Sequence, residues 1–187
     1  MKNLVFLLEE KSAEECLRNV VGRLLEGRDD VRPYYISFEG KCDLDRNIKR
    51  KMQHWNHPDS LFIVLRDQDA DDCRNLKARL AALCKQSGKN IYRVRIACRE
   101  LETFYLGDLA AVKEVYPACR ETQETRKFRN PDVLGAPADE LLKITKGEYR
   151  KISGSREISR YLRLDGSNRS VSFNALLSVI REAIDLG

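Results

Sequence analysis

Leu61-Phe62-Ile63-Val64-Leu65 is the strongest strand pattern in the chain, and it runs straight into Arg66-Asp67-Gln68-Asp69. A short, unbroken apolar run of this kind is what a strand covered on both faces requires. Upstream, Leu4 to Leu8 repeats the pattern and ends at Glu9-Glu10. A helix is expected next, with Ser12 as cap and Glu15 completing a capping box. Its apolar face is Leu17, Val20, Val21, Leu24 and Leu25, and Gly27 stops it. Tyr34 to Phe38 reads as a second strand ended by Gly40, and Asp43 to Trp55 as a polar helix.

Downstream of the acids, Leu76, Leu80, Leu83 and Cys84 mark one face of a helix that Gly88 ends. Ile91 to Cys98 alternates Tyr92, Val94 and Ile96 with Arg93 and Arg95, the pattern of a strand nearer an edge. Glu100 to Val115 reads as one further helix, with Leu101, Phe104, Tyr105, Ala111 and Val112 inward. Strands alternating with helices predict an α/β fold with a mainly parallel sheet flanked by helices. Beyond Pro117 the character changes, with breaks at Pro131 and Gly135-Ala136-Pro137 and short helices near 138–144 and 154–164. Phe173, Leu176, Leu177, Ile180, Ala183 and Ile184 then recur at helical spacing. The expected division is an α/β domain over 1–115 and a mostly helical C-terminal extension over 116–187 that packs on it. The last helix buries its stripe on the sheet domain or against a partner subunit, which leaves an oligomer open.

Composition excludes several classes. Hydrophobic residues are 42% and charged residues 34%, a globular balance with a heavily charged surface rather than a disordered chain. A net charge of +5 favours a polyanionic partner, although runs such as Arg46-Asn47-Ile48-Lys49-Arg50-Lys51 equally suit a solvated helix face. Six dispersed cysteines without a C-x-x-C pair suggest reduced thiols in a cytoplasmic protein. No apolar run approaches membrane-spanning length, and the first strand meets Glu9-Glu10-Lys11 too early for a signal peptide. Neither a P-loop nor a G-x-G-x-x-G is present, and no hydroxyl or thiol has an evident base partner.

Three acidic clusters share one structural position. Glu9-Glu10 follows the first strand, Asp67-Gln68-Asp69 the third, and Glu100/Glu102 the fourth. In a parallel sheet the carboxyl ends of the strands lie along one edge, where open α/β folds bind ligands. Crowded carboxylates repel unless a cation neutralises them, and oxygen ligands without nearby histidine or thiolate suit magnesium or manganese. Acids also cap helices, and Asp69, Asp71 and Asp72 suit that role as well. His54 and His57 stand three apart, but Pro58 ends their helix and makes a poor metal geometry.

Leu7-Leu8-Glu9-Glu10-Lys11-Ser12 and Val64-Leu65-Arg66-Asp67-Gln68-Asp69 together resemble the two motifs of TOPRIM domains, found in topoisomerases, primases and OLD-type nucleases. Arg99-Glu100-Leu101-Glu102-Thr103-Phe104-Tyr105-Leu106-Gly107-Asp108 is similar to small bacterial TOPRIM-like proteins encoded beside ABC- or AAA-type ATPases. The resemblance implies a Rossmann-like TOPRIM fold in which Asp67, Asp69 and Glu9 hold Mg2+ or Mn2+, with Glu102 as an extra ligand. It also implies that Glu9 serves as acid or base and that Lys11 meets a phosphate. The expected activity is that of a nuclease on DNA or RNA, with an ATPase partner and a role in phage defence. A non-catalytic module docked on that ATPase is the rival expectation. One departure stands out: Glu10 occupies the position where TOPRIM proteins usually carry glycine, so its side chain either narrows the approach of a phosphate or adds a ligand.

Overall fold

A computed structural model describes residues 1–185; Leu186 and Gly187, the end of the expected C-terminal extension, lie outside the described residues. Strands β1 (Lys2–Leu8), β2 (Val31–Ser37), β3 (Ser60–Asp67) and β4 (Tyr92–Ala97) form one parallel sheet in the order β2-β1-β3-β4. Helices α1 (Lys11–Leu24), α2 (Lys41–Gln53) and α3 (Cys73–Lys85) connect consecutive strands. The architecture is α/β and Rossmann-like.

The period-two alternation of the central strands explains the three layers. Leu4, Phe6 and Leu8 of β1 join Leu61, Ile63 and Leu65 of β3 in a core with Leu17, Val20 and Val21 of α1. Val5, Leu7, Phe62 and Val64 face the opposite way, onto Leu44, Ile48 and Met52 of α2 and Leu76, Leu80 and Cys84 of α3. Both faces of β1 and β3 are therefore dry, as their continuous apolar runs require.

The region expected to be one helix from Glu100 to Val115 is two, α4 (Thr103–Leu106) and α5 (Leu109–Val115). The break has a packing cause. A Cβ on Gly107 would collide with the Asn168 side chain and lie 2.7 Å from the Ser170 backbone nitrogen. Asp108, fully buried, accepts hydrogen bonds from the Arg163 backbone N–H (2.8 Å) and Nε (3.1 Å). The chain thus turns at Gly107 to let a distant segment dock. The capping box is also absent. Ser12 Oγ donates to Glu10 Oε1 at 2.7 Å instead of capping, and Glu15 pairs with Arg156.

The remaining helices, α6 (Pro137–Ile144), α7 (Lys151–Ser159) and α8 (Val171–Asp185), share the α1 side of the core. Phe173, Leu177, Ile180 and Ile184 are buried, and Phe173 packs on Phe104 with ring centroids 5.0 Å apart. Arg95 of edge strand β4 donates to the Ala175 carbonyl, so α8 covers the strand's basic face. α7 lies alongside α1 in parallel: Lys151 pairs with Glu10, Arg156 with Glu15, and Ser159 with Asn19. That alignment carries the start of α7 to the carboxyl edge of the sheet.

Candidate functional site

Strand register sets the site. β1 ends at Leu8 opposite Leu65 of β3, and Asp67 closes β3 opposite Ala97 of β4. Glu9, Asp67 and Glu102 therefore follow three neighbouring strands at one edge. The Asp67 backbone N–H donates to Glu9 Oε2 at 3.0 Å, which locks the two residues together. Glu102 is fully buried; its Oε1 accepts from the Tyr149 hydroxyl at 2.9 Å, and its Oε2 has no partner among the described residues. Gly154 makes room for this arrangement, since a Cβ there would collide with the Tyr149 ring.

Electrostatics make the edge unusual. Burial pushes the Asp67 carboxyl well above the ordinary carboxylate range, and the charges of Glu9, Glu102 and Glu10 push it further the same way. Glu9 is raised too, chiefly by burial, against the pull of the Asp67 N–H and Arg66. Glu102 is raised by burial despite Lys151 and the Tyr149 hydroxyl. The cation among these acids is Lys151, whose ammonium lies 2.6 Å from Glu10 Oε1. Burial opposes its charge, but the bond to Glu10 and the fields of Glu10, Glu102 and Asp67 hold it above its ordinary value.

Other expected residues go elsewhere. Asp69 adopts a left-handed backbone (φ 53), donates its N–H to the Arg99 carbonyl and pairs with Lys41 at 2.9 Å. It nevertheless contributes to the field at Glu9. Lys11 lies 2.9 Å from Glu14 and 3.8 Å from Glu15 on its own helix, and it makes no ion pair with Glu9, Asp67 or Glu102 among the described residues. Glu100 accepts from the Ala138 N–H at the start of α6. Asp72 caps α3 through the Asn75 N–H, and Asp71 pairs with Arg66 and Arg79. His57 stacks on Tyr34 at 5.5 Å.

Lys151 and Tyr149 are the residues that sequence reasoning missed. No local pattern marks them; they reach the edge only because α7 runs beside α1.

Hard carboxylate oxygens, an orphaned buried oxygen on Glu102 and an excess of acids over bases fit a divalent cation of the magnesium type. Asp67, Glu9 and Glu102 would have to draw closer together to hold one. As they stand, no three His, Cys, Asp or Glu side chains among the described residues are close enough together to hold a metal ion. Lys151 is the positive charge that faces them.

A family model described as a domain of unknown function (DUF4276) matches residues 8–181, from the last residue of β1 into α8. No curated protein and no solved structure matches the chain.

Proposed function

We propose a divalent-metal-dependent phosphodiesterase acting on DNA or RNA for this chain, which belongs to the DUF4276 family of domains of unknown function. The observation that carries the reading is the gathering of Glu9, Asp67 and Glu102 at the carboxyl edge of a parallel sheet, with Asp67 buried among three other carboxyl groups. The likeness of Glu9 and Asp67-Gln68-Asp69 to TOPRIM motifs supports the same chemistry. When bound, a magnesium or manganese ion would supply Lewis-acid stabilisation of a phosphoryl oxygen. Within the chain, the Asp67 N–H orients Glu9, whose raised pKa suits a group that exchanges a proton with water or a leaving oxygen. Tyr149 donates to Glu102, and Lys151 places a positive charge beside Glu10 at the same edge.

One observation favours the second reading, a non-catalytic module docked on an ATPase. The Glu10–Lys151 pair stands beside the acids, at the position where a glycine would leave room for a phosphate. An assay on plasmid, single-stranded DNA and tRNA with magnesium, manganese or EDTA separates the two. Catalysis predicts metal-dependent cleavage that Asp67→Asn lowers by roughly 100-fold or more, the scale of losing a preorganised charged group. No cleavage of any substrate in either metal would leave the docking module.

A further inference from the structure

We propose that the groove between α2 and edge strand β2 binds a single-stranded nucleic acid, with an unpaired base stacked at His54 and Trp55 and its phosphates on Arg50 and Lys51. The groove has a volume of about 480 Å³, is lined by Ile36, Arg50, Lys51, His54 and Trp55, and has no carboxylate in its wall among the described residues. It lies apart from the acidic edge described above.

Charge is the first support. Arg46, Lys49, Arg50 and Lys51 occupy one stretch of α2, and among the described residues none of them forms an ion pair. Elsewhere Lys77, Lys113 and Arg126 are also without an ion pair among the described residues, so what sets α2 apart is the clustering of four such cations on one helix, two of them in the groove wall. Asp43, near the start of α2, accepts from the Glu39 N–H and Asn47 and also feels the charges of Lys51 and Arg46. α2 buries Leu44, Ile48 and Met52, so its unpaired cations line the flanks open to solvent. Clustered cations of this kind suit the phosphate backbone of a polyanion.

The aromatic end is the second, independent support. Trp55 is half-buried and fixed: its Nε1 donates to Ser60 Oγ at 2.8 Å, and its ring meets Tyr34 edge-on at 5.0 Å. His57 stacks on Tyr34 at 5.5 Å, while His54 is exposed at the groove. Rigid rings beside free cations are the combination that holds successive bases and phosphates of a single strand, because every base offers a π-face. Duplex bases are already stacked and cannot use such a platform. Geometry ties the groove to the acids: Lys41 at the start of α2 holds Asp69, and the aromatic end lies roughly 20 Å further along a helix of this length. A strand lying along α2 would therefore run from the acidic edge to Trp55.

The inference rests on the phosphodiesterase reading only for the use made of the strand, and binding can be tested without catalysis. Trp55 is the only tryptophan in the chain, so its fluorescence reports the groove directly. The experiment titrates Asp67→Asn protein in EDTA with oligothymidylate or oligouridylate about 12 nucleotides long, a duplex of equal length, and heparin. Expected are a saturable change in Trp55 emission with the single strands and binding at least about tenfold weaker for duplex and heparin. The DNA and RNA arms show which sugar the groove prefers. Exposed-site variants should fold normally: His54→Ala should weaken binding about three- to tenfold. Arg50→Glu with Lys51→Glu should weaken it more than tenfold and flatten its salt dependence, by about 0.7 in log–log slope for each phosphate left without its cation. No saturable signal, equal binding of duplex or heparin, or full affinity in the charge-reversed protein would each overturn the proposal. Cleavage plays no part in any of these readouts, so failure of the nuclease assay and failure of the groove are separate results.

Discussion

At Asp67, burial and three neighbouring carboxyl groups act in the same direction, and the consequence for stability has a definite sign. An unfolded aspartate titrates at about 3.9, and the folded Asp67 titrates well above its ordinary value. Below the unfolded value both states carry the proton and the stabilising contribution is complete; it is lost as pH rises through the folded value. Without metal, wild type should therefore be less stable than Asp67→Asn at pH 7, and the gap should close on acidification towards pH 4. In a domain of this size about 1 kcal/mol moves Tm by roughly 2–4 °C, so a gap of a few degrees is expected in melts across that range. A gap that stays constant with pH would show that Asp67 titrates normally. Glu9-Glu10, Asp67-Gln68-Asp69 and Glu100/Glu102 were legible as edge clusters because strand ends in a parallel sheet share one side; the choice of Glu102 over Glu100 came from the TOPRIM-like resemblance, and the pairing of Asp69 with Lys41 was not legible. Lys11 was legible only as a basic residue near the edge. Its own helix offers Glu14 and Glu15 at closer range, and that competition does not show in a motif.

At the scale of elements, all four strands follow from their apolar runs, with ends differing by a few residues. Tyr34–Phe38, for instance, overlaps the later part of a strand that runs from Val31 to Ser37. Where periodicity misled, tertiary contacts were the cause. Phe104 to Val112 has a helical pattern throughout, yet Asn168 and Ser170 arrive from far along the chain and need the space that Gly107 leaves. Two glycines should respond to alanine in opposite ways. Gly22 lies within α1 with nothing close to an added Cβ, so Gly22→Ala should stabilise by about 0.5–1 kcal/mol through helix propensity. Gly107→Ala should destabilise by about 1–3 kcal/mol, the ordinary cost of forcing a methyl into packed backbone. Denaturant titration of both variants checks the contrast; similar effects of the two would mean that the break in this region has another cause.

For the molecule as a whole, the two sides of the sheet have different roles. The α2/α3 side is a local structure built from neighbouring elements and readable from periodicity. The α1 side recruits α4 to α8, and with them Tyr149 and Lys151, so part of the acidic edge is completed by segments distant in sequence. The proposed phosphodiesterase depends on this edge binding metal rather than serving as a set of helix caps and ion pairs. Thermal melts of wild type and Asp67→Asn, each with magnesium, manganese and EDTA, decide between the two. A metal bound only by the native state should raise wild-type stability by about 2.7 kcal/mol at 100 times its Kd, and Asp67→Asn should lose that gain while remaining at least as stable in EDTA. Identical metal responses in the two proteins would remove Asp67 from any metal site and contradict the proposal.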